Sequence, residues 1–140
     1  MIISARIDNS EGHHQVSLKT NENIHSIAIP PKSTGLGSST NGGELLFLAL
    51  ATCYCNDIYR AAAQRGITVE HVEVEIEGEF GAAGEPAQNV RYRAKVTAQA
   101  GEDEIRALMR QTDQVAEIQN TLRVATPVTL SQVEVLSTSA

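Results

Sequence analysis

The alternation of apolar and polar residues predicts three short strands in the first thirty residues of the chain. Turn-forming residues at 9–12 and 21–23 separate the strands, and Pro30 ends the third. The alternating apolar positions are Ile3, Ala5, Ile7, Val16, Leu18, Ile27 and Ile29. The chain is therefore expected to begin with strands rather than with a helix.

A long apolar run predicts a central helix from Gly43 to Arg65. Thr40 and Asn41 are candidates for its N-cap, and Gly66 is placed to end it. The run is apolar around most of its circumference as far as Thr52, which is typical of a helix buried on several sides. We therefore expect a sheet to cover one face and a second helix, or a partner subunit, to cover another.

Two segments of opposite charge predict an antiparallel hairpin centred near Gly84. This register pairs Glu77 with Arg91, Glu75 with Arg93 and Glu73 with Lys95. The charged side chains then share one solvent face, because a slip of one residue would bury all of them. We interpret the charge run as a solvated sheet face and not as a functional surface.

Helical spacing resumes at Glu102 and continues to about Arg123, after which a last strand is predicted over residues 128–136. The tail, residues 137–140, is expected to be loose. Strands and helices are grouped rather than strictly alternating. The sequence therefore predicts the α+β class with antiparallel sheet, in a single domain over residues 1–140.

Composition narrows the classes of partner. The formal net charge of −6 argues against electrostatic binding to nucleic acid or to an anionic membrane. The N-terminus lacks the pattern of a signal peptide and no apolar run is long enough to span a membrane, so the cytoplasm is the expected location. The four histidines are scattered and no CxxC occurs, so no metal site, cofactor or disulfide framework is predicted.

Cys53 is the candidate reactive residue. On a helix it shares a face with Asp57 and Arg60, which follow one and two turns later. The carboxylate would disfavour a thiolate and the guanidinium would favour one, but the two can also pair with each other. Cys55 points about 200° away and is predicted to be a core thiol. Free cysteine is among the most buried residue types, so a structural role for Cys53 is the alternative.

Four segments carry a resemblance to a known family. They are Asn41-Gly42-Gly43-Glu44-Leu45-Leu46, Leu50-Ala51-Thr52-Cys53, Arg65-Gly66-Ile67 and Val72-Glu73-Val74-Glu75-Ile76-Glu77-Gly78. In these segments, and in their order along nearly the whole chain, the sequence resembles the OsmC/Ohr family of osmotically inducible and organic hydroperoxide resistance proteins.

The resemblance implies an OsmC-like fold, with antiparallel sheets wrapped around a long central helix, in an intertwined homodimer with active sites at the subunit interface. It also implies thiol peroxidase chemistry on organic hydroperoxides. In that chemistry a thiolate becomes a sulfenic acid, condenses with a second cysteine, and is released by a thiol reductant. Cys53 matches the position of the attacking cysteine.

The sequence departs from the family pattern at three positions. Ala116 stands where the resolving cysteine is expected. Gly43 stands where the helix-start glutamate is expected, and Glu44 lies one residue later, about 100° away around the helix. The family's activating arginine comes from the N-terminal strands, but Arg6 cannot be placed on that motif.

Three hypotheses follow from these residues. The first is a peroxidase that uses Cys53 with an external resolving thiol, for which the supporting candidates are Glu44, Asp57 and Arg60. The second is a protein that binds a small apolar ligand or senses redox state without peroxide turnover, in a pocket lined by Leu46, Leu50 and Tyr54. The third is a purely structural thiol.

Overall fold

The structure, a computed structural model, describes residues 1–138, and these form five strands and three helices. The elements are β1 (Ile3–Ser10), β2 (His13–Thr20), β3 (Asn23–Ile27), α1 (Gly42–Gln64), β4 (Thr68–Glu79), β5 (Gln88–Gln99), α2 (Glu102–Val115) and α3 (Glu117–Arg123). Both sheets are antiparallel, which confirms the α+β class. The chain divides into two compact units, residues 1–48 and the residues from 49 onward.

The first unit contains the predicted three-stranded sheet, in the order β1-β2-β3. The register places Ile7 opposite Val16, and Val16 opposite Ile27. Gly12 lies in the β1–β2 turn with φ of +69°, a conformation that glycine adopts without steric cost. The third strand ends at Ile27, so Ile29 falls outside it.

Helix α1 has a well-defined signal at each end. The backbone N–H of Asn41 donates to the Glu44 carboxylate over 3.0 Å, while the N–H of Glu44 donates to Oδ1 of Asn41 over 2.8 Å. This reciprocal capping box satisfies N–H groups that have no intrahelical partner. At the other end Gly66 has φ of +68°, and the Ile67 N–H donates to the Ala62 carbonyl. The predicted cap at Asn41 and stop at Gly66 are therefore confirmed.

The second unit contains the hairpin β4–β5 in the predicted register. Glu77 lies opposite Arg91, Glu75 opposite Arg93 and Glu73 opposite Lys95. The Glu77–Arg91 and Glu75–Arg93 ion pairs each measure 2.7 Å. All of these charged side chains are exposed, as expected of a solvated face.

The opposite face of the hairpin packs on α1 and α2. The buried cluster consists of Tyr54, Ile58, Ala62, Ile67 and Leu108. The ring of Tyr54 meets that of Tyr92 edge-on with centroids 5.3 Å apart, and the Tyr54 hydroxyl donates to the Met109 carbonyl over 3.0 Å. Within this unit a sheet and a second helix cover α1 from Tyr54 onward, whereas Leu48, in the apolar run on which the prediction rested, is 59% exposed.

The prediction of a last strand over residues 128–136 is wrong within the part of the chain that the structure describes. No residue between 124 and 138 belongs to a strand, and Val128, Leu130 and Leu136 are 97%, 83% and 98% exposed. The alternating pattern is present, but a strand also needs a partner for its backbone groups, and no described strand pairs with this segment. The expectation of a loose tail falls partly on residues 139–140, which lie outside the described residues.

Within residues 1–138 every helix is too short or too polar for a membrane span.

Candidate functional site

The sulfur of Cys53 lies between α1 and the start of α3. Cys53 is a free thiol, only partly buried. Its Sγ donates to Oδ2 of Asp57 over 3.6 Å and lies 4.0 Å from Oε2 of Glu117. The backbone N–H of Ile118 also donates to the sulfur. Two carboxylates and one amide therefore surround this thiol.

Asp57 is held in place from its other side. Its Oδ1 forms an ion pair with Nη2 of Arg60 at 3.0 Å. The sequence spacing of three residues predicted that these two side chains could pair. The Asp57 side chain is 7% exposed, whereas that of Arg60 is 63% exposed. Arg60 therefore neutralises part of the charge of a buried carboxylate, through Oδ1, while Oδ2 of the same carboxylate accepts from the thiol.

Packing of α3 against α1 brings Glu117 to the site. Ala116, fully buried, precedes α3, and the Asn120 N–H donates to its carbonyl over 2.9 Å. Gln119 is 4% exposed, and its Nε2 donates to the Leu50 carbonyl of α1 over 3.0 Å. These contacts anchor the first turn of α3, so that Glu117 and Ile118 project beside Cys53.

The surroundings hold the pKa of the Cys53 thiol above its ordinary value. Burial is the main cause, because a thiolate loses hydration there. The Ile118 N–H opposes this by stabilising the thiolate, whereas Asp57 and Glu117 raise the pKa further through their negative charge. The thiol is therefore the dominant form at neutral pH.

The other predicted site residues lie in different surroundings. Glu44 is exposed and its carboxylate caps α1 at Asn41. Leu46 is half-buried, and Leu50 is buried beneath Gln119. Tyr54 faces the core of the second unit, where its hydroxyl is already bonded to Met109. Of the predicted residues, the structure brings Asp57 and Arg60 together with Cys53.

Sequence reasoning missed Glu117 as a site residue. A signal was present, because the resemblance put the resolving position at Ala116, and Glu117 is the next residue. The ligand atoms of Cys53, Asp57 and Glu117 lie within 4.8 Å of one another, which is close enough for a shared cation. This set contains no imidazole and Asp57 already pairs with Arg60, so we assign no metal to it.

Cys55 lies on another face of α1. It is half-buried and lines an open groove of about 250 Å³ together with Ala51, Thr52, Asn56, Val72 and Val74. Cys55 was predicted to be a core thiol, but it is less buried than that prediction requires, because its side chain borders the groove between α1 and β4. Both cysteines are free.

Comparisons with known proteins agree on a family. The sequence model of the family described as OsmC-like protein matches residues 35–131. No curated protein matches the chain significantly.

Solved structures share the fold at low sequence identity. An OsmC-like protein from Mycoplasma pneumoniae is 17% identical, with a TM-score of 0.60 over 87% of this chain and 86% of that one. An OsmC-like protein of unknown function from Vibrio cholerae is 13% identical, with a TM-score of 0.58 over 86% and 93%. An organic hydroperoxide resistance protein from Legionella pneumophila is 21% identical, with a TM-score of 0.57 over 88% and 90%. At these identities the similarity establishes the fold.

Proposed function

Because the chain belongs to the OsmC-like protein family, we propose that it reduces organic hydroperoxides with the thiol of Cys53. The observation that carries this proposal is a free, partly exposed thiol whose sulfur accepts the Ile118 N–H at the start of α3. Accessibility lets a peroxide reach the sulfur, and the Ile118 N–H is the neighbour that favours the attacking thiolate. The solved relative from Legionella is itself described as an organic hydroperoxide resistance protein.

The proposed reaction has two stages. The Cys53 thiolate attacks a peroxide oxygen and breaks the O–O bond, which leaves a sulfenic acid on the sulfur and an alkoxide that takes a proton to become an alcohol. Since Ala116 occupies the expected resolving position, an external thiol condenses with the sulfenic acid and water is released. A second thiol then displaces Cys53 as a free thiol. Low-molecular-weight thiols of the cytoplasm, where we place the protein, suit this role.

Neighbouring residues support this chemistry in different ways. We assign Arg60 and Asp57 to the polar side of the site, where Arg60 offsets part of the carboxylate charge. Leu50 is the proposed apolar support for the alkyl group of the peroxide, and Tyr54 backs it from the core. Glu44 is assigned the cap of α1, which fixes where the helix begins.

We also propose that the protein works as a homodimer. Large apolar side chains are exposed in the described chain, among them Ile3, Ile7, Ile24, Leu48, Val128, Leu130 and Leu136. Burial of these side chains against a second copy would stabilise association, because removing apolar surface from water is favourable. The alternating segment 128–136 would gain backbone partners by pairing with a sheet edge of a second copy. Light scattering should give twice the chain mass of 15.0 kDa, and a monomer at micromolar concentration would refute this assembly.

One observation favours a second candidate function. The raised thiol pKa and the two adjacent carboxylates disfavour the thiolate that fast turnover requires. A protein that binds a small apolar ligand, or that senses oxidants through slow sulfenic acid formation, would tolerate such a thiol. This candidate predicts oxidation of Cys53 without catalytic consumption of peroxide.

The two candidates separate in one experiment. Purified protein is mixed with cumene hydroperoxide and a dithiol reductant, peroxide loss is followed, and sulfenic acid is detected by mass. Peroxidase function predicts many turnovers per chain, full loss in Cys53→Ser and little change in Cys55→Ser. Oxidation to a single equivalent favours the sensor, and the absence of any sulfenate rules out both redox roles.

A further inference from the structure

The electrostatic environment of Cys53 is asymmetric. Sγ lies 3.6 Å from Asp57 Oδ2 and 4.0 Å from Glu117 Oε2. Arg60 pairs with Asp57, but within residues 1–138 no lysine, arginine or histidine forms an ion pair with Glu117. Glu117 is exposed, so its charge faces whatever approaches the sulfur from solvent.

We propose that Glu117 selects the charge of the molecules that react at Cys53, so that the site accepts cationic and neutral partners and discriminates against anionic ones. The choice of peroxide rests on the proposed function. The suitable peroxides are neutral alkyl or aryl hydroperoxides rather than fatty-acid hydroperoxides with a free carboxylate. The suitable external thiols are neutral or amine-bearing ones.

The physical basis is repulsion at short range. A carboxylate about 4 Å from the reacting sulfur lies well inside the screening length of about 8 Å at physiological salt, so an incoming anion is repelled during attack. When the charged group of the reagent lies a few ångströms beyond the sulfur, each unit of charge on the reagent should change the rate of attack by about 3- to 10-fold at low ionic strength. Arg60 weakens the contribution of Asp57, which leaves Glu117 as the main determinant.

The proposal is tested without peroxide, by thiol–disulfide exchange. The Cys53 thiolate attacks one sulfur of a symmetric disulfide, the S–S bond breaks, a mixed disulfide forms on Cys53 and one small thiolate leaves. Three aliphatic reagents differ mainly in charge: cystamine as a dication, bis(2-hydroxyethyl) disulfide as a neutral molecule, and dithiodiglycolate as a dianion. Each rate is normalised to that of a neutral cysteine derivative, which removes the intrinsic reactivity of the reagent.

The experiment uses the full chain with Cys55→Ser, so that each mixed disulfide reports on Cys53 by mass. We expect normalised rates in the order dication, neutral, dianion, with at least a 10-fold span at low salt that shrinks in 1 M salt. Glu117→Gln should compress the span several-fold, and Glu117→Lys should invert the order. Glu104→Gln makes the same change in net charge at an exposed position of α2 and should leave the span unaltered.

Equal normalised rates in the parent chain, or a span that Glu117→Gln does not compress, would overturn the proposal. The outcome is independent of peroxidase function, because the exchange involves no hydroperoxide. A chain that shows charge selection but forms no sulfenic acid would retain this inference and lose the proposed function.

Discussion

The thiol of Cys53 donates to Oδ2 of Asp57, one helical turn later, while Arg60 forms an ion pair with Oδ1 of the same carboxylate. A carboxylate in this position stabilises the protonated thiol relative to the thiolate. The arrangement is the reverse of a thiol activated by a cation. Reactivity at Cys53 therefore depends on burial and on the Asp57 and Glu117 carboxylates, which raise the thiol pKa, against the Ile118 amide, which lowers it.

Asp57→Asn should make Cys53 more reactive at neutral pH. Removal of the adjacent negative charge lowers the thiol pKa, because the thiolate is then no longer repelled by Asp57. The pH dependence of iodoacetamide alkylation, followed by mass, reports the midpoint directly. Glu104→Gln serves as the control. An unchanged midpoint in Asp57→Asn would show that the carboxylate does not act on the sulfur.

Ala116→Cys should supply the resolving thiol that the chain lacks. Residue 116 immediately precedes Glu117 and Ile118, both of which contact the Cys53 sulfur, so the new thiol would enter the same site. Hydroperoxide should then produce an internal disulfide, seen as a loss of two hydrogens by mass, without any external thiol. The double variant with Cys53→Ser should show none. A new thiol that stays free after Cys53 is oxidised would disprove this placement.

Stability should fall in alkaline solution through the two core tyrosines. Burial raises the pKa of Tyr54 to about 12, and burial together with the Asp113 contact raises that of Tyr92 further. Because the folded state holds these protons more tightly than the unfolded state, their contribution is complete below pH about 10 and is lost as pH rises toward the folded values. Urea unfolding between pH 8 and 11.5 measures the loss. Tyr54→Phe should reduce its slope, and an identical slope would contradict the assignment.

Leu108→Ala should be among the most damaging substitutions in the core. Leu108 is fully buried in the cluster with Tyr54 and Ile58, and truncation there costs about 2–5 kcal/mol in free energy of unfolding. Leu122→Ala removes the same atoms from a side chain that is 42% exposed and should cost clearly less. Chemical denaturation of both variants gives the comparison. Equal losses would mean that packing around α2 does not support the second unit.

Local pattern was sufficient for much of the fold. The hairpin register follows from the Glu75–Arg93 and Glu77–Arg91 pairs, since a slip of one residue would bury the charged side chains. The ends of α1 follow from Asn41 and Gly66, whose chemistry acts within one turn of the helix. The segment 128–136 was predicted wrongly because alternation identifies a strand-forming sequence but not the neighbour with which it would pair.

The sequence by itself determined the α+β class, the two antiparallel sheets, the helix that carries Cys53 and the Asp57–Arg60 pair, because these depend on residues close together in the chain. Only the tertiary structure decided that Glu117 stands beside the sulfur and that Tyr54 turns into the core. Glu117 lies 64 residues from Cys53, and the packing of Gln119 on Leu50 brings them together. Contacts of that separation arise when helices pack, which no local pattern of residue types describes.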